Sequence, residues 1–337
     1  MAEDLVASLR RRTARAARKW APGAQVAGVE PLTGGTSSLT FVARVRTGAG
    51  QEERVVLKVA PPGLAPVRNR DVLRQGRVMR ALHGRPGVRV PPVLFEDAGD
   101  PPDTPPFVAM GLVPGECAEP VLADVRDPAG FAEVRTSALD AAAVLAAIHA
   151  VPPDKAGLED EPAVPLADEV DRWTRAFATV PPDLQHDYER CARALHSTVP
   201  PAAQPVINHG DYRLGNTLCR RGRVEAVIDW EIWSVGDPRV DLAWFLFFTD
   251  EARHPAAPSD DPSGMPAGAE LLAAYAEAGG ADVTDLAWFE ALTYYKEAAA
   301  TALLIKRGRR GGDLAPAMRR MVPALPGLLA KAEAILG

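Results

Sequence analysis

Lysine is scarce in this chain of 337 residues. Of its 38 basic residues only Lys19, Lys58, Lys155, Lys296, Lys306 and Lys331 are lysines, and arginine supplies the rest. Each lysine set into an apolar segment is therefore worth inspecting. Cysteine is scarcer still: Cys117, Cys191 and Cys219 show no CxxC spacing, so neither a disulfide framework nor a cysteine zinc site is expected. No run of about 18 apolar residues occurs, and a membrane span is not expected. The opening "MAEDLVASLRRRTARAARKW" lacks the apolar stretch of a secretory signal, which makes a cytoplasmic location the default. Positive charge is not in excess either. A formal net charge of -6 argues against a broad nucleic-acid footprint. The motifs GxxxxGK[ST], GxSxG and HExxH are missing, which removes three common enzyme classes.

What is present is an ordinary globular composition, 47% hydrophobic and 24% charged, long enough for two packed lobes. Residues 3–18 read as a charged helix. The stretches "VAGVEPL", "SLTFVARVRT" and "ERVVLKVA" read as strands around "TGGTSS". In "RDVLRQGRVMRALH", Val72, Leu73, Val78, Met79 and Leu82 recur at helical spacing, so a helix is expected over 70–83. Two further strands follow in "VRVPPVLFEDAG" and "PFVAMGLVPG". Beyond this point helices dominate, over 128–149, 166–180 and 182–197 and again after residue 237, with a Pro- and Asp-rich loop over 251–267. The expected fold class is α+β in two lobes: a small mixed β-sheet lobe over 1–113 and a larger, mainly helical lobe over 114–337, with a ligand cleft between them.

One window concentrates polar chemistry. "NHGDYRLGNTL" places His209, Asp211 and Asn216 within eight residues, and "VIDWE" adds Asp229 a strand's length later. Apolar neighbours frame all four, and polar groups held in such a frame are costly unless something pairs with them. Asn216 and Asp229 carry the oxygen donors a hard cation such as Mg2+ prefers. Asp211 is then free to accept a proton from a hydroxyl, and His209 is read as orienting the loop. Positioning, charge neutralisation and one base-like carboxylate are what phosphoryl transfer requires. Lys58 in "VVLKV" is the only lysine between residues 20 and 154, and so the one available to meet nucleotide phosphates from the small lobe. Blander readings compete. Lys58 could guard a sheet edge, and "TGGTSS" could be an ordinary hairpin turn.

Taken together, "HGDYRLGN", "VIDWE" and "GDPRVDLAWF" resemble the aminoglycoside phosphotransferase family, small-molecule kinases with a protein-kinase-like fold. The resemblance runs from "LTGGTSSLTF" to the final helices. It implies that Asp211 is the catalytic aspartate, that Asn216 and Asp229 bind Mg2+, and that Lys58 contacts the phosphates of ATP. Gly34, Gly35, Ser37 and Ser38 would cover those phosphates, and the backbone around Met110 and Leu112 would meet adenine. His209, Arg213 and Asp241 would support the catalytic loop. One departure stands out: where the family helix reads like "REYRVLRAL", this chain has "RQGRVMRAL", and Gln75 replaces the glutamate that pairs with the lysine. Asp71, one turn earlier, is a possible substitute.

The resemblance implies a kinase of a small-molecule hydroxyl, a monomer or homodimer with no nucleic-acid or membrane partner. "HGDYRLGN", "GDPRVDLAW" and "SGMPAGAELLAAYAEAG" are most similar to the kinase-like domains associated with acyl-CoA dehydrogenases, which points to a hydroxyacyl thioester or similar metabolite. An antibiotic kinase and a catalytically weak nucleotide- or metabolite-binding protein are the alternatives. The cluster Lys306, Arg307, Arg309, Arg310, Arg319 and Arg320 reads either as a solvated helix end or as an attractor for an anionic substrate.

Overall fold

The computed structural model describes residues 2–32, 39–48, 50–281, 283–311, 314 and 316–337. The chain forms two units, one of residues 1–115 with 225–233 and the other of residues 116–224 with 234–337.

The first unit opens with helix α1 (Ala2–Trp20). Strands β1 (Gln25–Pro31), β2 (Leu39–Arg46), β3 (Glu52–Val59), β4 (Val93–Asp97) and β5 (Phe107–Gly111) form one sheet in the order β1-β2-β3-β5-β4. Every pairing in it is antiparallel. The strand period of two explains the placement of Lys58. Val55, Leu57 and Val59 point to one face, where they pack with Leu9, Ala16 and Ala17 of α1 and with Phe41, Phe95 and Phe107. Lys58 therefore points to the opposite face, alongside its β5 register partner Val108. Helix α2 (Val72–Leu82) covers that face. A Cβ on Gly76 would lie 2.8 Å from the Val108 side chain, so glycine permits the close approach of helix to strand.

The segment 225–233, which the sequence reading places in the larger lobe, packs with the first unit. Its Val227 amide donates to the Arg89 carbonyl at 2.8 Å, and Arg74 donates to the Trp233 carbonyl at 3.1 Å with its guanidinium over the Trp233 ring. Pairings with sequence separations this large leave no local signal.

The second unit is mainly helical: α3 (Phe131–His149), α4 (Leu166–Phe177), α5 (Tyr188–Ser197), α6 (Arg239–Phe247), α7 (Gly268–Glu277), α8 (Leu286–Gly311), α9 (Pro316–Met321) and α10 (Leu325–Leu336). Helix α8 is its spine. Leu292, Tyr295, Ala298, Ala299, Ala302 and Ile305 recur at helical spacing and are buried against Val170, Phe177, Leu195 and Leu329. Strands β6 (Val206–Asn208) and β9 (Ser234–Gly236) pair antiparallel in this unit. Strands β7 (Thr217–Arg220) and β8 (Arg223–Val227) follow the polar window. Among the described residues no helix is long and apolar enough to cross a membrane.

Candidate active site

In the second unit, the chain leaves β6 at Asn208 and turns through Gly210, whose φ of 86° favours glycine. Asp241, fully buried in the first turn of α6, holds this turn. Its carboxylate accepts from the amides of His209 at 2.5 Å and Gly210 at 2.7 Å, with His149 Nε2 at 3.6 Å. Burial pushes the Asp241 carboxyl upward, but His149, His209 and the Gly210 amide hold it below the usual carboxylate range. His209 is itself buried, and its Nδ1 accepts from the Asp211 amide at 3.2 Å. The histidine is thus bonded to the backbone of the residue whose carboxylate faces the site.

The Asp211 side chain is fixed at both oxygens. Oδ1 accepts from Trp244 Nε1 at 2.7 Å and from Arg213 Nε at 3.2 Å, while Oδ2 accepts from Asn216 Nδ2 at 2.7 Å. Asn216 also donates to the Asp211 carbonyl at 2.8 Å. Burial alone would raise the Asp211 carboxyl; Arg213, Lys296, His209 and Asn216 together hold it below its ordinary value. The group is ionised at neutral pH. Both bonds from the Asn216 amide nitrogen go to Asp211, and its carbonyl oxygen accepts no hydrogen bond among the described residues. That oxygen is available to a cation.

Two residues with no motif behind them complete the frame. Glu119 accepts from Arg213 and, at 2.7 Å, from the Gly215 amide, and it sits 94 residues upstream of Arg213. Lys296 of α8 is buried and donates to the Gly210 carbonyl. The rarity of lysine was its only signal in the sequence. Trp244 lies within "GDPRVDLAWF", where no spacing marks it for contact with Asp211.

In the first unit Lys58 forms an ion pair with Asp229. Asp229 has a left-handed backbone, φ 66°, in which a non-glycine residue carries strain; such residues cluster at functional sites. Its second carboxylate oxygen accepts no hydrogen bond among the described residues. Met110 is buried in β5, between register partners Val56 and Val93. The Leu112 amide donates to the Arg54 carbonyl at 3.2 Å. Gly34, Gly35, Ser37 and Ser38 lie outside the described residues.

Gln75 is buried but does not meet Lys58. Its Nε2 donates to the Asn69 carbonyl at 3.1 Å, and its Oε1 has no partner among the described residues. Asp71, considered above as a substitute for the missing glutamate, caps α2 by accepting from the Arg74 amide at 3.0 Å. Gln75→Glu would turn the donor facing Asn69 into a buried carboxylate. It is expected to destabilise the ligand-free protein by about 1–3 kcal/mol, measurable by thermal unfolding. Equal or greater stability would show that Lys58 turns to residue 75, as in the family pattern.

The basic cluster near the C-terminus is largely occupied within the chain. Arg309 pairs with Asp183 at 2.8 Å, Arg320 with Asp124 at 2.9 Å, Arg319 donates to the Leu314 carbonyl, and Lys306 donates to the Thr179 carbonyl. These contacts favour the helix-end reading over the substrate attractor. The Arg310 side chain is outside the described residues.

Residues 28–292 match the phosphotransferase enzyme family, APH. The chain belongs to that family. Its members are phosphotransferases acting on hydroxyl groups of small molecules, and this chain carries their two-lobed α+β fold. It is 29% identical over 258 residues to acyl-CoA dehydrogenase family member 11 of Pongo abelii, a match covering 72% of this chain and 32% of that protein. The chain thus spans about a third of the length of that curated relative. Among solved structures it resembles a putative aminoglycoside phosphotransferase from Ralstonia eutropha JMP134, with a TM-score of 0.71, 24% identity, and coverage of 100% of this chain and 98% of that one. It also resembles aminoglycoside phosphotransferase APH(4)-Ia, solved in ternary complex with ADP and hygromycin B, with a TM-score of 0.55, 15% identity, and coverage of 93% and 94%. At these identities the two structures establish the fold.

Proposed function

We propose that this phosphotransferase uses ATP with Mg2+ to phosphorylate a hydroxyl of a hydroxyacyl thioester or a similar small metabolite. The observation that carries the reaction type is the placement of Asp211, a carboxylate held at both oxygens by Trp244, Arg213 and Asn216, with Arg213 and Lys296 keeping it below its ordinary range. A carboxylate so fixed can take the proton of an acceptor hydroxyl as its oxygen bonds to the γ-phosphorus and the bond to the β-phosphate bridging oxygen breaks, releasing ADP. In this reading residues 1–113 bind the nucleotide and residues 114–337 carry the catalytic aspartate. Lys58 contacts the phosphates, the 34–38 segment covers them, and the backbone at Met110 and Leu112 receives adenine. The fold is known with ADP bound, in APH(4)-Ia, and with GDP bound, in aminoglycoside 2'-phosphotransferase-IIIa, which supports a purine nucleotide.

Asn216 and Asp229 are the proposed Mg2+ ligands, each with a free oxygen among the described residues. Among those residues no three His, Cys, Asp or Glu side chains gather as a metal site. A shell of few protein oxygens suits Mg2+, which keeps waters and takes phosphate oxygens. When bound, the ion neutralises charge on the transferring phosphoryl group. Asp229→Ala is expected to weaken Mg-ATP binding by about 10–100-fold or more, the range lost when even a ligand's supporting partner is removed. A calorimetric titration giving wild-type affinity would remove Asp229 from the metal.

The acceptor class rests on the likeness to an acyl-CoA dehydrogenase family member. Release of ADP should be stimulated by a hydroxyacyl-CoA and not by the same acyl-CoA lacking its hydroxyl. Stimulation by an aminoglycoside alone would instead identify an antibiotic kinase. A catalytically weak binding protein is the second reading, favoured by Gln75 and by its lack of contact with Lys58. It predicts Mg-ATP binding with no acceptor that raises turnover.

A further inference from the structure

Lys296 is the one lysine that the family pattern does not account for and that the fold buries. It lies in the middle of α8, 5% exposed. Its ammonium donates to the carbonyl of Gly210, the residue before Asp211, and sits 3.6 Å from the centroid of the Trp244 ring, with Trp173 at 5.7 Å. Trp244 in turn donates its indole N–H to Asp211 Oδ1. One cation therefore touches both the backbone that carries Asp211 and the side chain that aims it.

A purely architectural role is a poor explanation. Lys296 forms no ion pair among the described residues, and a buried charge without one is costly. Burial pushes its pKa down to about 8, opposed by Asp211, Asp241 and Glu169, with Arg172 adding to the depression. An apolar side chain of the same length would fill this helical core at lower cost. What methionine could not supply is the bond to Gly210 and the attraction to the electron-rich Trp244 face.

We infer that Lys296 is a positioning residue for phosphoryl transfer, fixing the Gly210 carbonyl and the Trp244 indole so that Asp211 is held in one orientation. This rests on the reading of Asp211 as the catalytic aspartate. It goes beyond that reading by assigning the loop's order to a residue 85 positions away in sequence, on another element.

Hydrogen exchange on the full chain tests it without a known acceptor. Lys296→Met is expected to speed exchange of the 209–216 amides by about tenfold, since a hydrogen bond to a charged group is lost from the loop. The melting temperature is expected to hold or rise, because the buried charge is gone. Lys296→Gln, which keeps a donor for Gly210 without the charge, should fall between the two and serves if the methionine variant does not fold. Mg-ATP hydrolysis without acceptor should fall in kcat with the ATP KM unchanged. Unchanged exchange over 209–216 would overturn the inference. So would a lower melting temperature with faster exchange throughout α4 and α8, the mark of a core residue. If wild-type protein neither binds nor hydrolyses Mg-ATP, the proposed function fails, and the exchange data still decide whether Lys296 orders the loop.

Discussion

Asp211→Asn is expected to lower phosphoryl transfer by about 100- to 10,000-fold, the range that general-base catalysis contributes, with ATP affinity nearly unchanged. Asparagine has the right shape but cannot take the acceptor's proton. It also meets donors on both sides. Oδ1 faces Trp244 Nε1 and Arg213, and Oδ2 faces the amide nitrogen of Asn216. Whichever way the new amide is turned, its NH2 opposes a donor, so at least one hydrogen bond is lost. The accompanying loss of stability should be about 1–3 kcal/mol. Activity on the acceptor and an unfolding curve measure the two effects separately. Turnover within threefold of wild type, an allowance of under about 1 kcal/mol of barrier, would remove Asp211 from catalysis.

The second large effect is structural. Asp241→Ala leaves the His209 and Gly210 amides without their acceptor in a fully buried place, and takes the anion from beside His149. Breaking a buried charged network by removing one partner costs about 3–5 kcal/mol. In a unit of this size that corresponds to a fall in Tm on the order of 10 °C. Asp241→Asn, which keeps one acceptor oxygen, should cost visibly less. Calorimetric unfolding of the two variants gives the comparison. An alanine variant as stable as wild type would mean that water replaces the carboxylate and that Asp241 does not hold the turn.

Much of the frame was legible because its signals are local. The helical spacing from Val72 to Leu82 appears as α2, and "ERVVLKVA" appears as β3 with Lys58 set opposite the core face. His209, Asp211 and Asn216 were drawn together by spacing within a single loop, and the structure joins Asp211 to both by hydrogen bonds. What escaped the sequence is long-range. Lys58 and Asp229 are 171 residues apart, and their ion pair leaves no periodicity to read. Glu119 reaches Arg213 across 94 residues from an irregular stretch. Lys296 hides in a helix among the buried aromatics Trp288, Phe289, Tyr294 and Tyr295, whose apolar pattern masks it. Gln75 shows the limit of pattern in the other direction. A family position predicted a partner for Lys58, whereas the side chain is turned to Asn69.

The measurement that bears most directly on the whole account is a calorimetric titration of the wild-type chain with ATP, once with Mg2+ and once with the ion chelated. A phosphotransferase built on Lys58, Asn216 and Asp229 predicts saturable binding of one ATP per chain that weakens sharply when Mg2+ is withdrawn. Absence of binding in both titrations, or the same affinity with and without the ion, would contradict it.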